Sequence, residues 1–167
     1  MFDKNYEIKC KIPDIAKFRK IFKNESSYLY SKELQTDIYY KVKKGRLKLR
    51  IIKNEYANLI FYERSDKTKI RTSSYIISRT NDFKQLDNIL RSQFKVLTVV
   101  SKVRNIYIKE NVRIHLDRLK KLGDFLEIEI IYKDIKSAKK QMKELIEFLE
   151  LNKNEFIKHS YSDMLIK

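Results

Sequence analysis

Charged residues in this chain recur two apart along short segments. Glu7, Lys9 and Lys11 alternate with Tyr6, Ile8, Cys10 and Ile12, and Arg46, Lys48 and Arg50 alternate with Leu47, Leu49 and Ile51. The same spacing joins Lys69 to Arg71, Lys102 to Arg104, Arg113 to His115 and Asp117, and Glu127 to Glu129. Residues two apart on a strand share a face, so each segment gathers charge on one side and Ile, Leu, Val or Tyr on the other. For any one strand, ordinary polar-out, apolar-in patterning explains this. Two features go further. Basic residues at i and i+2 repel on a solvated sheet unless an anion or carboxylates compensate, and the carboxylates stand in short clusters of their own. Guanidinium and ammonium groups suit phosphate, while clustered carboxylates suit Mg²⁺ or Mn²⁺. The chemistry that uses both is the binding of a polyphosphate together with a divalent ion.

The rest of the composition is compatible with that reading. The chain has 167 residues, with 38 Lys and Arg against 22 Asp and Glu, a net charge of +16. Such a balance implies an anionic partner: nucleic acid, a membrane surface or a polyphosphate. Lysine also serves plain solubility, so its placement matters more than its number. Two glycines and one proline exclude a glycine-rich phosphate loop, which leaves the phosphates to side chains. Cys10 is the single cysteine, so no intrachain disulfide forms. No apolar run approaches the ~18 residues of a membrane span, and no signal-peptide pattern opens the sequence. Cytoplasmic localisation with no membrane partner is the expectation.

The elements that position these residues follow from periodicity. Strands are predicted at 4–12, 34–42, 46–51, 57–64, 70–79, 96–109, 111–117 and 124–132. Pro13 is expected to open a helix carrying Ile15, Phe18, Ile21 and Phe22. Helices are also predicted at 81–94 and 134–151, with Lys43-Lys44-Gly45 and Ser65-Asp66-Lys67 as turns. The tail 155–167 has no clear period. With no linker or composition break, residues 1–167 are read as one α+β domain. Its architecture is expected to be a closed or nearly closed antiparallel β-barrel, with helices covering an apolar outside and charge lining the lumen.

The same residues resemble a known family. Tyr6-Glu7-Ile8-Lys9-Cys10-Lys11 resembles the Glu-x-Glu-x-Lys strand of the CYTH superfamily, which unites class IV adenylyl cyclases and thiamine triphosphatases. Gly45 to Arg50 and Leu59 to Arg64 look like its second and third strands. Arg113-Ile114-His115-Leu116-Asp117, Leu122 to Glu129, and Tyr161-Ser162-Asp163-Met164-Leu165 are similar to the cyclase-type branch. The resemblance implies a triphosphate tunnel. It implies divalent metal on Glu7, Asp117, Glu127 and Glu129, and phosphates on Lys9, Lys11, Lys48, Arg50, Lys102, Arg104 and Arg113. Glu7, Lys11 and Arg113 would be the catalytic core. In this reading Lys9 stands where the family has its second glutamate, and must therefore find a carboxylate or phosphate as partner. His115 reads as structural or as a neighbour of the phosphates.

Three functions follow from the resemblance. In the first, the 3′-hydroxyl of ATP attacks the α-phosphate, giving cyclic AMP and pyrophosphate. The second is metal-dependent hydrolysis of an organic triphosphate, and the third is nucleotide or polyphosphate binding without turnover. The cyclase-type segments favour the first. Nucleic acid is disfavoured as a partner, because it needs the charge outside the barrel, and a homodimer is left open.

Overall fold

Period-two patterning closes on itself. In the computed structural model, which describes residues 3–64 and 68–166, the strands form one closed antiparallel barrel. The elements are β1 (Asp3–Ile12), α1 (Ile15–Asn24), β2 (Leu29–Tyr40), β3 (Arg46–Ile52), β4 (Tyr56–Arg64), β5 (Arg71–Thr80) and α2 (Phe83–Gln93). There follow β6 (Val96–Lys109), β7 (Val112–Leu119), β8 (Gly123–Ile131), α3 (Ile135–Phe148), a 3₁₀ turn (Lys153–Glu155) and α4 (Tyr161–Ile166). Around the barrel the order is β1-β5-β4-β3-β2-β6-β7-β8, with β8 pairing back onto β1.

The strand and helix order matches the expectation from periodicity, with differences at the edges. Strand β2 begins at Leu29 and not at 34, because Leu29 to Glu33 pair with Ile108 to Arg104 of β6. That partner is remote in sequence, so local pattern does not reveal it. Pro13 lies one residue before the cap of α1 and not in its first turn. The cap is Asp14, whose Oδ1 accepts from the Ala16 N–H at 2.8 Å, a contact worth ~1 kcal/mol. The expected turn at Ser65-Asp66-Lys67 lies outside the described residues. Gly45 turns the chain into β3 with φ of 66°, and a Cβ there would stand 2.7 Å from the Phe61 ring.

Helices cover much of the apolar outer face, leaving Leu34, Ile76, Leu97 and Val99 exposed. Phe18 and Phe22 of α1, with Ala138, Met142 and Ile146 of α3, pack on Ile8, Cys10, Ile114, Leu116, Leu126, Ile128 and Ile130. Leu90 of α2, flanked by Phe83 and Leu86, covers Ile38, Tyr40, Leu49 and Ala57. Each large apolar side chain fully buried stabilises the fold by ~1.5–3 kcal/mol. Because alternate residues face opposite ways, burying this outer set turns the charged set into the lumen. A third cluster fills one end of that lumen: Tyr39, Val100, Leu119 and Phe125 pack with Tyr161 of α4. The short tail helix, which has no period of its own, thus stoppers the barrel at one end. Among the described residues no helix is long and apolar enough to cross a membrane.

Candidate functional site

Inward positions from all eight strands line a cavity of about 320 Å³. It is within the range that holds small organic ligands. Towards α4 it is strongly charged. At the opposite mouth it is lined by Ile52, Ile77, Ile106, Ile108, Tyr56 and Asn58.

Asp37 on β2 is the hub of the first charge cluster. Arg50 donates to it with both arms, Nε to Oδ1 at 2.7 Å and a terminal nitrogen to Oδ2 at 2.8 Å. Lys102 and Lys48 donate to Oδ2 at 2.9 Å and 3.1 Å. Burial by itself would raise the Asp37 pKa, but Arg50, Lys102 and Lys48 together hold it well below the usual carboxylate range. The lysines shift against the sense expected of an ion pair. Burial takes Lys48 down to about 7, with Arg50 adding to the effect, and takes Lys102 down to about 8. One carboxylate cannot compensate three desolvated cations, and the surplus positive charge is what a polyanion would meet.

A second cluster centres on Arg104. It grips Asp117 with both arms, at 2.7 Å and 2.5 Å, and reaches Glu127 Oε2 at 2.5 Å. The Tyr161 hydroxyl donates to Asp117 at 2.8 Å. Lys9 lies 3.0 Å from Glu127 Oε1 and 3.6 Å above the Tyr161 ring. Burial lowers the Lys9 pKa, and Glu127 opposes the shift. Burial would raise Glu127, but Lys9 and Arg104 hold it well below its usual value.

Arginines also fasten the tail. Arg71 donates to Glu7 at 2.8 Å and to the Lys158 carbonyl at 2.8 Å. Arg46 donates to Ser160 at 2.7 Å and to Asp163 at 3.0 Å, and Arg64 stands 3.6 Å from Asp163 and 3.7 Å from Glu7.

The mouth side is less committed. Arg113 lies opposite Glu129 in register and lines the cavity, yet among the described residues no carboxylate pairs with it. Among the described residues His115 Nδ1 is buried without a hydrogen-bond partner, 3.6 Å from Glu127 Oε2 and 3.7 Å from Glu129 Oε1. The ligand atoms of His115, Glu127 and Glu129 lie within 4.8 Å of one another, which suits a divalent ion.

Of the residues singled out by sequence, Glu7, Lys9, Lys48, Arg50, Lys102, Arg104, Arg113, Glu127 and Glu129 share this cavity. Asp117 is wholly buried behind Arg104 and does not line it. Lys11 is exposed and does not line it either, since its register partner Phe125 already belongs to the stopper. Asn5 does line it, nearer the mouth than Glu7 on the same strand face, with a buried Oδ1 that has no hydrogen-bond partner among the described residues. Sequence reasoning missed Asp37, although its alternation with Gln35 and Tyr39 carried the signal. It also missed Arg64 and Tyr161, whose places depend on the closed barrel and on α4.

The CYTH domain pattern matches residues 3–161. A protein of Methanocaldococcus jannaschii named "Putative adenylate cyclase" is 29% identical over 168 residues, spanning 95% of this chain and 96% of its own. Among solved structures, a Pyrococcus horikoshii protein has a TM-score of 0.83 at 27% identity, over 95% of this chain and 98% of its own. A Vibrio parahaemolyticus structure described as "a putative adenylate cyclase" has a TM-score of 0.81 at 18% identity over 100% of both chains, a likeness of fold.

Proposed function

Since the chain belongs to the CYTH domain family, we propose that it binds an organic triphosphate and converts ATP to cyclic AMP and pyrophosphate. The observation that carries this reading is a one-ended lumen whose deep part holds more cation than carboxylate. Asp37 faces Arg50, Lys48 and Lys102 there.

A triphosphate entering at the apolar mouth would leave its organic group against Ile52, Ile77 and Ile106, with its terminal phosphates among Lys48, Lys102, Arg50 and Arg104. Arg113 and His115 lie opposite Ile108 and Ile106 in register, on the mouth side of Arg104. That is the depth of the α-phosphate in this seating. Attack by the 3′-hydroxyl oxygen on that phosphorus, its proton passing to water, breaks the bond to the β-phosphate oxygen, and the charge developing on pyrophosphate falls to the deep lysines and arginines. These cations are held in place by Asp37 and Asp117 before substrate arrives, so little reorganisation is needed. His115, Glu127 and Glu129 would hold a divalent ion, which would supply Lewis-acid polarisation of a phosphoryl oxygen.

The β1 motif is assigned here two residues earlier than its sequence suggests. Asn5, Glu7 and Lys9 are the inward residues at tunnel depth, so Lys9 is the motif's lysine and Asn5 its departure. Lys11 has no part in the site.

Hydrolysis of the terminal phosphate is the second reading. It is supported by the stopper, which ends the lumen just beyond the deep cations, so that a terminal phosphate seated there would lie near Glu127. Incubation with ATP or thiamine triphosphate, with Mg²⁺ or Mn²⁺, and chromatographic resolution of products separates the two. Cyclic AMP with pyrophosphate is the expected result. Orthophosphate alone establishes hydrolysis, and no turnover of either substrate rejects both.

A further inference from the structure

The tunnel absorbs little of this chain's charge. Eight cations and five carboxylates line the lumen, so most of the net charge of +16 lies outside it. On that outside the helices leave part of the β2–β6 wall bare. Leu34 of β2, Ile51 of β3 and Val103 of β6 floor an open groove of about 910 Å³ there. Leu34 is 58% exposed, and exposed Val99 and Leu97 continue the apolar strip along β6. Lys53, after β3, stands on one flank of the groove, and Arg118 and Lys120, on the β7 side, stand on the other. Lys32 closes one end on β2. Arg118 is held by Asp124 at 2.8 Å. Among the described residues no carboxylate lines the groove, and none pairs with Lys32, Lys53 or Lys120.

We propose that this groove docks an acidic amphipathic helix of a partner protein, its apolar face on Leu34, Ile51 and Val103 and its carboxylates against Lys32, Lys53 and Lys120. A closed barrel has no free strand edge, so a partner cannot add a strand and must pack side chains onto the sheet face. The adjoining part of the same β2–β3 face already takes a helix, since Leu90 of α2 packs there on Ile38 and Leu49.

Charge selects the kind of helix. Flanking cations without acids of their own complement carboxylates, and they repel a second copy of so basic a chain. Nucleic acid fits less well, because no aromatic side chain lines the groove to stack a base and the apolar floor would go unused. A lipid surface is flat, whereas this floor is recessed between its flanks.

The test uses the full chain and a fluorescein-labelled peptide of about 18 residues, long enough to be helical, with leucines along one face and glutamates on the other. Its counterpart with lysine for glutamate is the control. Fluorescence anisotropy should show the acidic peptide binding more weakly as salt rises, and the basic peptide binding at least about tenfold less tightly. Leu34→Glu, and Lys53→Glu combined with Lys120→Glu, should each weaken the acidic peptide at least about tenfold. Lys143→Glu, on α3, should leave its affinity unchanged. The lysine reversals lie at exposed positions and keep the test open even if Leu34→Glu fails to fold. No binding of the acidic peptide, equal binding of both peptides, or binding indifferent to Leu34→Glu or to the lysine reversals overturns the proposal. So does a dimer, or adherence to phosphatidylglycerol vesicles, that Leu34→Glu abolishes, since the face would then serve a second copy or a membrane.

Discussion

The two ends of the tunnel handle charge differently. In the deep part nearly every ionised group is paired: Arg50, Lys48 and Lys102 on Asp37, and Arg104 on Asp117 and Glu127. On the mouth side His115 Nδ1 has no hydrogen-bond partner, and Arg113 pairs with no carboxylate among the described residues. Buried charge is tolerated only when compensated. The deep groups therefore serve the fold as well as the proposed ligand, and their removal should be felt first as instability. The mouth groups, half-exposed Arg113 and buried His115, are uncommitted, so their removal should be felt as lost binding. Pairing, more than charge itself, separates the two roles.

Breaking the deep hub should give the largest effect. Asp37→Ala leaves three buried cations without their shared carboxylate, and removing one partner of a buried pair costs about 3–5 kcal/mol. Urea unfolding should show that loss, and tripolyphosphate should restore part of it. Glu129→Gln on the mouth side should leave the urea midpoint nearly unchanged. Equal destabilisation by both substitutions would remove the distinction between the two ends.

The mouth is sharpened by Arg113→Ala. Loss of one charge-assisted contact should weaken triphosphate binding by about 1.5–3 kcal/mol, read by calorimetry, with little change in stability. Lys11→Ala, at an exposed residue outside the lumen, should leave affinity unaltered. A fall as large as that of Arg113→Ala would return Lys11 to the phosphate site.

The smallest effect is expected from pH. Lys48 and Lys102 titrate at about 7 and about 8 in the free protein, well below an ordinary lysine. A bound triphosphate favours their charged forms, so binding near pH 8 should take up protons, and affinity should fall as pH rises from about 7 to 9. Calorimetry in buffers of different ionisation enthalpy measures that uptake directly. The stability of the free protein runs the other way. Between the folded values and an unfolded lysine near ~10.4 the unfolded chain binds more protons, so stability contributed by these groups rises with pH across that window. Heat-induced unfolding at pH 7 and pH 9 checks the sign. Proton release on binding would show that these lysines do not meet the ligand.

Several of these properties were determined by the sequence itself. Alternation of Arg46, Lys48 and Arg50 with Leu47, Leu49 and Ile51 is a local property, because strand side chains point to opposite faces whatever the rest of the chain does. The same holds for Glu127 and Glu129, and for the helical stripe of α3 that covers the barrel. Hence the succession of strands and helices along the chain, the outer core and the charged lumen were legible, as were most of the cations that line it. Tertiary structure alone decided how those charges pair and where the tunnel stops. Asp37 meets Lys102 only because β2 lies between β3 and β6, and Lys9 meets Glu127 only because β8 closes onto β1. The depth of β1 at which the lumen ends is set by α4, whose Tyr161 is placed by a hydroxyl contact to Asp117. For that reason Lys11, on the correct face by parity, falls outside the site while Asn5 falls inside it. Parity fixes which way a side chain points, whereas pairing between strands distant in sequence fixes what it meets.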